Sequence, residues 1–170
     1  DAALERLADR LLLAQRPVIV SGHEVSVHDA LAEVAQLAEM LGAGMYQQTV
    51  PYSAQALSEH PASLGSLTRS QRQVRAALEP IDPLPDGMAI VQIGERAWEL
   101  GKSYPTEIAI NANVKETLGA LLALLRKRMT TAQRERAEKN LRAIAANNWT
   151  VQRDRLIQEV SASAAAKPID

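Results

Sequence analysis

The chain has no cysteine and no phenylalanine, and its few aromatics are two tryptophans and three tyrosines: Trp98, Trp149, Tyr46, Tyr52 and Tyr104. Without cysteine there is no disulfide scaffold, no thiolate zinc and no cysteine nucleophile, a composition that suits a reducing compartment. A dominant charge sign is lacking too. Nineteen basic side chains face 20 acidic ones for a net charge of −1, which argues against a large polyanion-binding face, so no nucleic-acid partner is expected. No apolar run approaches the roughly 18 residues of a membrane span, and no charged-then-apolar leader opens the chain. The expectations are a cytoplasmic location and no membrane partner. What the sequence does have is aliphatic bulk: 29 alanines and 21 leucines among 170 residues. That is enough for one ordinary domain with a core that needs no staples.

Periodicity divides the chain into alternating elements. Leu4, Leu7, Ala8, Leu11 and Leu12 share one face of a first helix that halts before Pro17. The unalternating run Pro17-Val18-Ile19-Val20, closed by Ser21-Gly22, reads as a strand buried on both faces. Ser26 with Asp29 forms a capping-box pattern for a helix carrying Val27, Ala30, Leu31, Val34, Leu37, Ala38 and Leu41 inward, and Gly42 stops it. A strand from Met45 to Val50 completes a βαβ unit, which implies a parallel sheet and a right-handed crossover. Residues 51–68 read as loop. Thr68 with Gln71 opens a short helix through Leu78, and a turn-rich break follows at Pro80, Pro83, Pro85 and Asp86-Gly87. Met88 to Ile93 is a further strand, ending at Gly94. A short helical stretch from Glu95 to Leu100 leads to a strand from Glu107 to Ile110. Asn113 with Glu116 caps a helix whose inner face is Leu118, Leu121, Leu122 and Leu125, and Arg126, Lys127 and Arg128 complement its dipole. From Thr131 to Ala162 the sequence is charged and helical, broken at Asn147-Asn148. Its apolar stripe is too narrow for a core of its own, so it should lie against something else. The fold class expected is α/β: a three-layer domain with a mostly parallel sheet, followed by a C-terminal helical linker.

Chemistry-bearing motifs are scarce. His23, Glu24 and His28 superficially suggest a zinc-protease helix, but that chemistry needs histidines at i and i+4 on one face. The spacing here is i,i+5 and the only other histidine, His60, precedes a proline, so no metal is expected. Gly42-Ala43-Gly44 lies after a helix and before a strand, the reverse of the order a dinucleotide fingerprint requires. There is no Gly-x-Ser-x-Gly elbow and no Walker-type lysine loop, so no catalytic residue is assigned. In open parallel sheets ligands sit at the carboxyl ends of the strands. The strand-end residues are Gly22, His23, Thr49, Gly94 and Asn113, and they are the candidates for holding a cofactor. Glu24 would repel phosphate and the first turn has a single glycine, so an empty crevice is preferred to an occupied one. Arg126-Lys127-Arg128 reads as a solvated helix end, and the two tryptophans as packing anchors.

The order of segments resembles the middle domain of thiamine-diphosphate-dependent enzymes, with benzoylformate decarboxylase-like and acetolactate synthase-like members nearest in look. The resemblance is carried by Arg16 to Gly22, Leu37 to Ala43, Tyr46 to Val50, His60-Pro61 and Leu64-Gly65. It continues in Ile90 to Glu95, Glu99 to Pro105, Ile108 to Ile110 and Val114 to Leu118. Where the family usually has an aspartate after the strand and a Gly-Asp before the last helix, this chain has Gly94-Glu95 and Ala112-Asn113. The resemblance implies a Rossmann-like central domain over residues 1–127 and, over 128–170, a helical connector toward the diphosphate-binding domain. It further implies flanking pyrimidine- and diphosphate-binding domains in the same parent chain, with thiamine diphosphate and Mg²⁺ held by those domains. The parent would be a lyase or transferase, a homo-oligomer acting on a 2-keto acid, with this segment inactive alone. Because some relatives hold a flavin or an adenine nucleotide at the strand ends, a nucleotide-binding module taking FAD or ADP is the alternative.

One departure follows from the same resemblance. It implies another strand and a loop between Leu78-Glu79-Pro80 and Met88, where only Ile81 to Gly87 intervene. That strand would lie beside the first, in the middle of the sheet, and its loss would strip both neighbours of ladder hydrogen bonds. The expectation is that residues are absent at this join, the alternatives being a rearranged sheet or strands exchanged between chains.

Overall fold

The computed structural model describes residues 2–48, 53–67, 88–102 and 105–166. Helix α1 (Ala2–Leu13) leads into β1 (Val18–Ser21), a short α2 (His23–Val27), α3 (Leu31–Leu41), β2 (Gly44–Gln47) and β3 (Ser63–Ser66). Then come β4 (Val91–Gly94), β5 (Ile108–Asn111), α4 (Val114–Arg128), α5 (Thr131–Ala145) and α6 (Trp149–Ala166). The helix expected from Thr68 to Leu78, and the join from Pro80 to Gly87, lie outside the described residues.

All described strand pairs are parallel, as the βαβ reading requires, but they form two sheets. One has the order β1-β2-β3 and the other pairs β4 with β5. Among the described helices, α3 packs on β1, α4 on β4, α1 on β5 and α6 on β3, and α4 touches both α3 and α1. Between helices and strands lies one aliphatic core, including Leu7, Leu12, Val34, Leu37, Met45, Ile110, Leu118, Leu121 and Leu125. At about 25 cal/mol per Å² of apolar surface, burying leucines of this kind contributes roughly 2 kcal/mol each.

Several local expectations are changed by the three-dimensional context. Ser26 does not cap a helix; its hydroxyl donates to the Ala54 carbonyl. Asp29 adopts φ +50° and α3 begins after Ala30 with no side-chain cap, because α2 inserts a turn of helix before the chain redirects. Residues 63–66, read as loop, form β3: Ser-Leu-Gly-Ser is too short and polar to announce a strand, and pairing with β2 decides it. Glu95 to Leu100 is a run of turns rather than a helix. β1 is not buried on both faces, since Val20 is 49 % exposed.

The tail does lie against the domain. A capping box at Thr130 and Gln133 starts α5, and α5 runs along α3. Gln133 Nε2 and Arg136 Nη2 both donate to the Leu12 carbonyl, at 3.0 and 2.9 Å. They satisfy an acceptor that the C-terminus of α1 leaves open.

Candidate functional site

The C-terminal ends of β1, β4 and β5 meet at one rim, and the side chains there come from loops that the strands aim at one another. Gly22, the N-cap of α2, lets the chain turn straight from β1 into that helix. Two helical residues further, the Glu24 carboxylate crosses to β4, where its Oε2 accepts the Glu95 backbone N–H at 2.8 Å. Gly94 makes room for it: a Cβ there would stand 2.6 Å from that oxygen. Arg96 Nε lies 3.9 Å from the other Glu24 oxygen and pairs with Glu99 at 3.2 Å.

His28 closes the far side. Its Nδ1 accepts the Val114 backbone N–H at 3.2 Å, so the neutral ring carries its proton on Nε2. That nitrogen faces Glu95 Oε2 at 3.2 Å. Asn113 holds the same carboxylate from β5's side, donating to Glu95 Oε1 at 3.3 Å while its own carbonyl oxygen caps α4 by accepting from Glu116 N–H at 3.2 Å. Lys115 Nζ ties the Asp29 turn to α4 at 2.7 Å.

Of the strand-end residues proposed from sequence, Gly94 and Asn113 are brought together through Glu95, and Gly22 launches the helix that delivers Glu24 and His28. His23 is the first residue of α2, half-buried. Thr49 lies outside the described residues. Glu95 and His28 are the members sequence reasoning did not select. Glu95 stands where the resembled family has an aspartate, and His28 was weighed only as a metal ligand.

The arrangement is a knot of polar contacts rather than a receptacle. The backbone donor that an anion would use at the end of β4 is taken by Glu24, and the start of α4 is capped by Asn113 and His28. Two carboxylates line the rim, so the residues present do not fit a diphosphate. Among the described residues no three His, Cys, Asp or Glu side chains group as metal ligands. Two recesses, of about 340 and 320 Å³, lie elsewhere: one beside Met88 to Ile90 and Pro105 to Glu107, the other between α3, α4 and α5. The basic cluster at the end of α4 is also committed, Arg126 to Gln36 at 2.7 Å and Arg128 to Asp9 at 2.7 Å. No helix among the described residues is long and apolar enough to cross a membrane.

Comparison with known proteins agrees with the fold. Residues 4–84 match the family model of the thiamine pyrophosphate enzyme central domain. A pyruvate oxidase from Lactiplantibacillus plantarum is 30% identical over 146 residues, 76% of this chain and 24% of that enzyme. Among solved structures, a Mycobacterium smegmatis protein described as thiamin diphosphate-dependent superposes with a TM-score of 0.64 at 23% identity, over 72% of this chain and 27% of its own. A thiamine diphosphate-dependent 4-hydroxybenzoylformate decarboxylase from Rhodococcus jostii RHA1 gives 0.65 at 24% identity, with the same coverage of 72% and 27%. The chain thus spans about a quarter of the length of each of these proteins.

Proposed function

We propose that the chain, whose residues 4–84 match the family model of the thiamine pyrophosphate enzyme central domain, is the non-catalytic middle domain of a thiamine-diphosphate-dependent 2-keto acid decarboxylase or carboligase. In this reading residues 1–127 are the domain and 128–170 the connector to a diphosphate-binding neighbour. Thiamine diphosphate and Mg²⁺ belong to the flanking domains, where the cofactor supplies the carbanion chemistry. This chain spaces those domains and contributes contacts to a homo-oligomer in the cytoplasm.

The observation that carries the reading is the consumption of the strand-end donors by the chain's own side chains, Glu24 on the Glu95 N–H and His28 on the Val114 N–H. A spacer gains rigidity from such a knot, whereas a nucleotide module needs those donors free. Gly22, His23, Thr49, Gly94 and Asn113 remain the residues through which FAD or ADP would bind if the knot opened. Isothermal titration of the chain with FAD and with ADP is expected to show no saturation up to millimolar ligand. Saturation in the micromolar range would overturn the spacer reading in favour of the nucleotide module.

A further inference from the structure

His28 is the C-cap of α2 and lies on the turn that leads to α3. Its ring is 9 % exposed, whereas the Glu95 side chain beside it is 53 % exposed. The partner of Nδ1 is the backbone N–H of Val114, the first residue of α4, 86 positions along the chain. An N–H in the first turn of a helix has no acceptor within that helix. His28 supplies the missing acceptor, and in doing so joins the end of α2 to the start of α4.

A second proton has one place to go on this ring. In the neutral imidazole Nε2 carries the hydrogen and faces Glu95 Oε2 at 3.2 Å, while Nδ1 accepts at 3.2 Å. Another proton must enter at Nδ1, where the Val114 N–H already points. Two donors then face each other and that bond is lost. The contact at Nε2 strengthens instead, because a cationic ring against a carboxylate is charge-assisted. Carboxylates outnumber cations around the ring, which favours the charged form. Glu95 faces it from the end of β4, with Glu24 on the Glu95 N–H and Arg96 Nε 3.9 Å from Glu24. Asp29 follows in its own turn, tied to Lys115 of α4. Glu116 lies in the first turn of α4 and Glu33 in the first turn of α3.

We infer that His28 is a proton-operated latch on the rim: as pH falls it takes a proton at Nδ1, stays with Glu95 and releases the start of α4. The Lys115 contact to the Asp29 carbonyl is then the remaining tie between that turn and α4. Such a latch is independent of the role proposed above for the parent protein. His60 is the internal comparison. Its Nδ1 accepts the Ala62 N–H at 3.1 Å, its Nε2 lies 3.2 Å from Glu39 Oε1, and its ring is equally covered. That backbone donor sits two residues away in the same loop, so losing the bond parts no two elements.

Nitrogen-15 NMR and residue-resolved amide exchange on the 170-residue chain test this between about pH 7.5 and about pH 5, the range in which histidine changes charge. At the upper end His28 should show a protonated Nε2 and a bare Nδ1. As pH falls, Nδ1 should gain its proton and the Val114 amide should lose protection by about tenfold or more with the same midpoint, after correction for intrinsic exchange. Leu121, Leu122 and Leu125 in the core should keep theirs. His28→Asn sets a non-titrating acceptor near the Nδ1 position and should hold Val114 protection constant; if that variant does not fold, the coincidence of midpoints in the parent chain decides. Protection of Val114 that survives the His28 titration would overturn the latch, as would a ring that stays neutral to the lower end. Loss that persists in His28→Asn would assign the opening to the carboxylates instead, and parallel loss at the core leucines would show unfolding rather than unlatching.

Discussion

His28 and His60 carry the same wiring at opposite ends of the domain. Each accepts a backbone N–H at Nδ1, from Val114 and Ala62, and each faces a carboxylate with Nε2, Glu95 and Glu39, at 3.2 Å. Such rings fasten a turn to a neighbouring element, with both ring nitrogens engaged. Tyr46 shows the other effect of partial burial. Desolvation of its ring raises the phenol above its ordinary value near 10. A raised folded value means that the unfolded chain ionises first as pH increases. The contribution to stability is therefore whole below about pH 10 and is lost as pH climbs through the folded value. Tyr46→Phe should lose less stability than the parent chain between pH 8 and pH 11, read as the shift of the urea midpoint at each pH. Equal shifts in the two proteins would show that the buried phenol does not contribute.

Element boundaries depend on contacts that sequence spacing cannot report. Gly42 was readable as the stop of α3, and it ends that helix at φ +62°. Its second constraint was not readable: a Cβ at this position would lie 2.3 Å from the Ala137 carbonyl oxygen, ninety-five positions along the chain in α5. Gly42→Ala therefore combines a left-handed alanine with a backbone clash, and should destabilise the protein by about 2 kcal/mol or more. Denaturant titration checks this; a loss below about 1 kcal/mol would mean that α5 shifts freely. The same contrast runs through the fold. Long periodic helices such as α1, α3 and α4, and apolar runs such as β1, could be read from local pattern. β3, the α2 turn and the Glu24–Glu95 tie could not, because each is decided by a partner more than fifteen residues distant. The candidate rim residues Gly94 and Asn113 followed from the rule that parallel strands gather their ends. The carboxylates that fill the rim followed from no local rule.

Composition alone suggested a single domain, and the resemblance divided it into a core and a connector. The geometry ties these two parts together. The carbonyl of Leu12 is held by Gln133 and Arg136, the Gln15 carbonyl takes Asn140 Nδ2 at 2.8 Å, and the buried Asn148 donates to Pro61 at 3.4 Å. Trp149 covers the positive-φ Gly65 of β3, its ring 3.0 Å from where a Cβ would stand. A helix with so few apolar residues attaches by satisfying carbonyls that the core leaves open, and each such bond contributes about 1 kcal/mol net. Residues 131–149 thus brace α1 and β3. Truncation after Arg128 should preserve the far-ultraviolet signature of the remaining helices and strands but lower unfolding stability by about 3 kcal/mol, measured by urea titration. An unchanged midpoint would mean that residues 129–170 are carried by the core without supporting it.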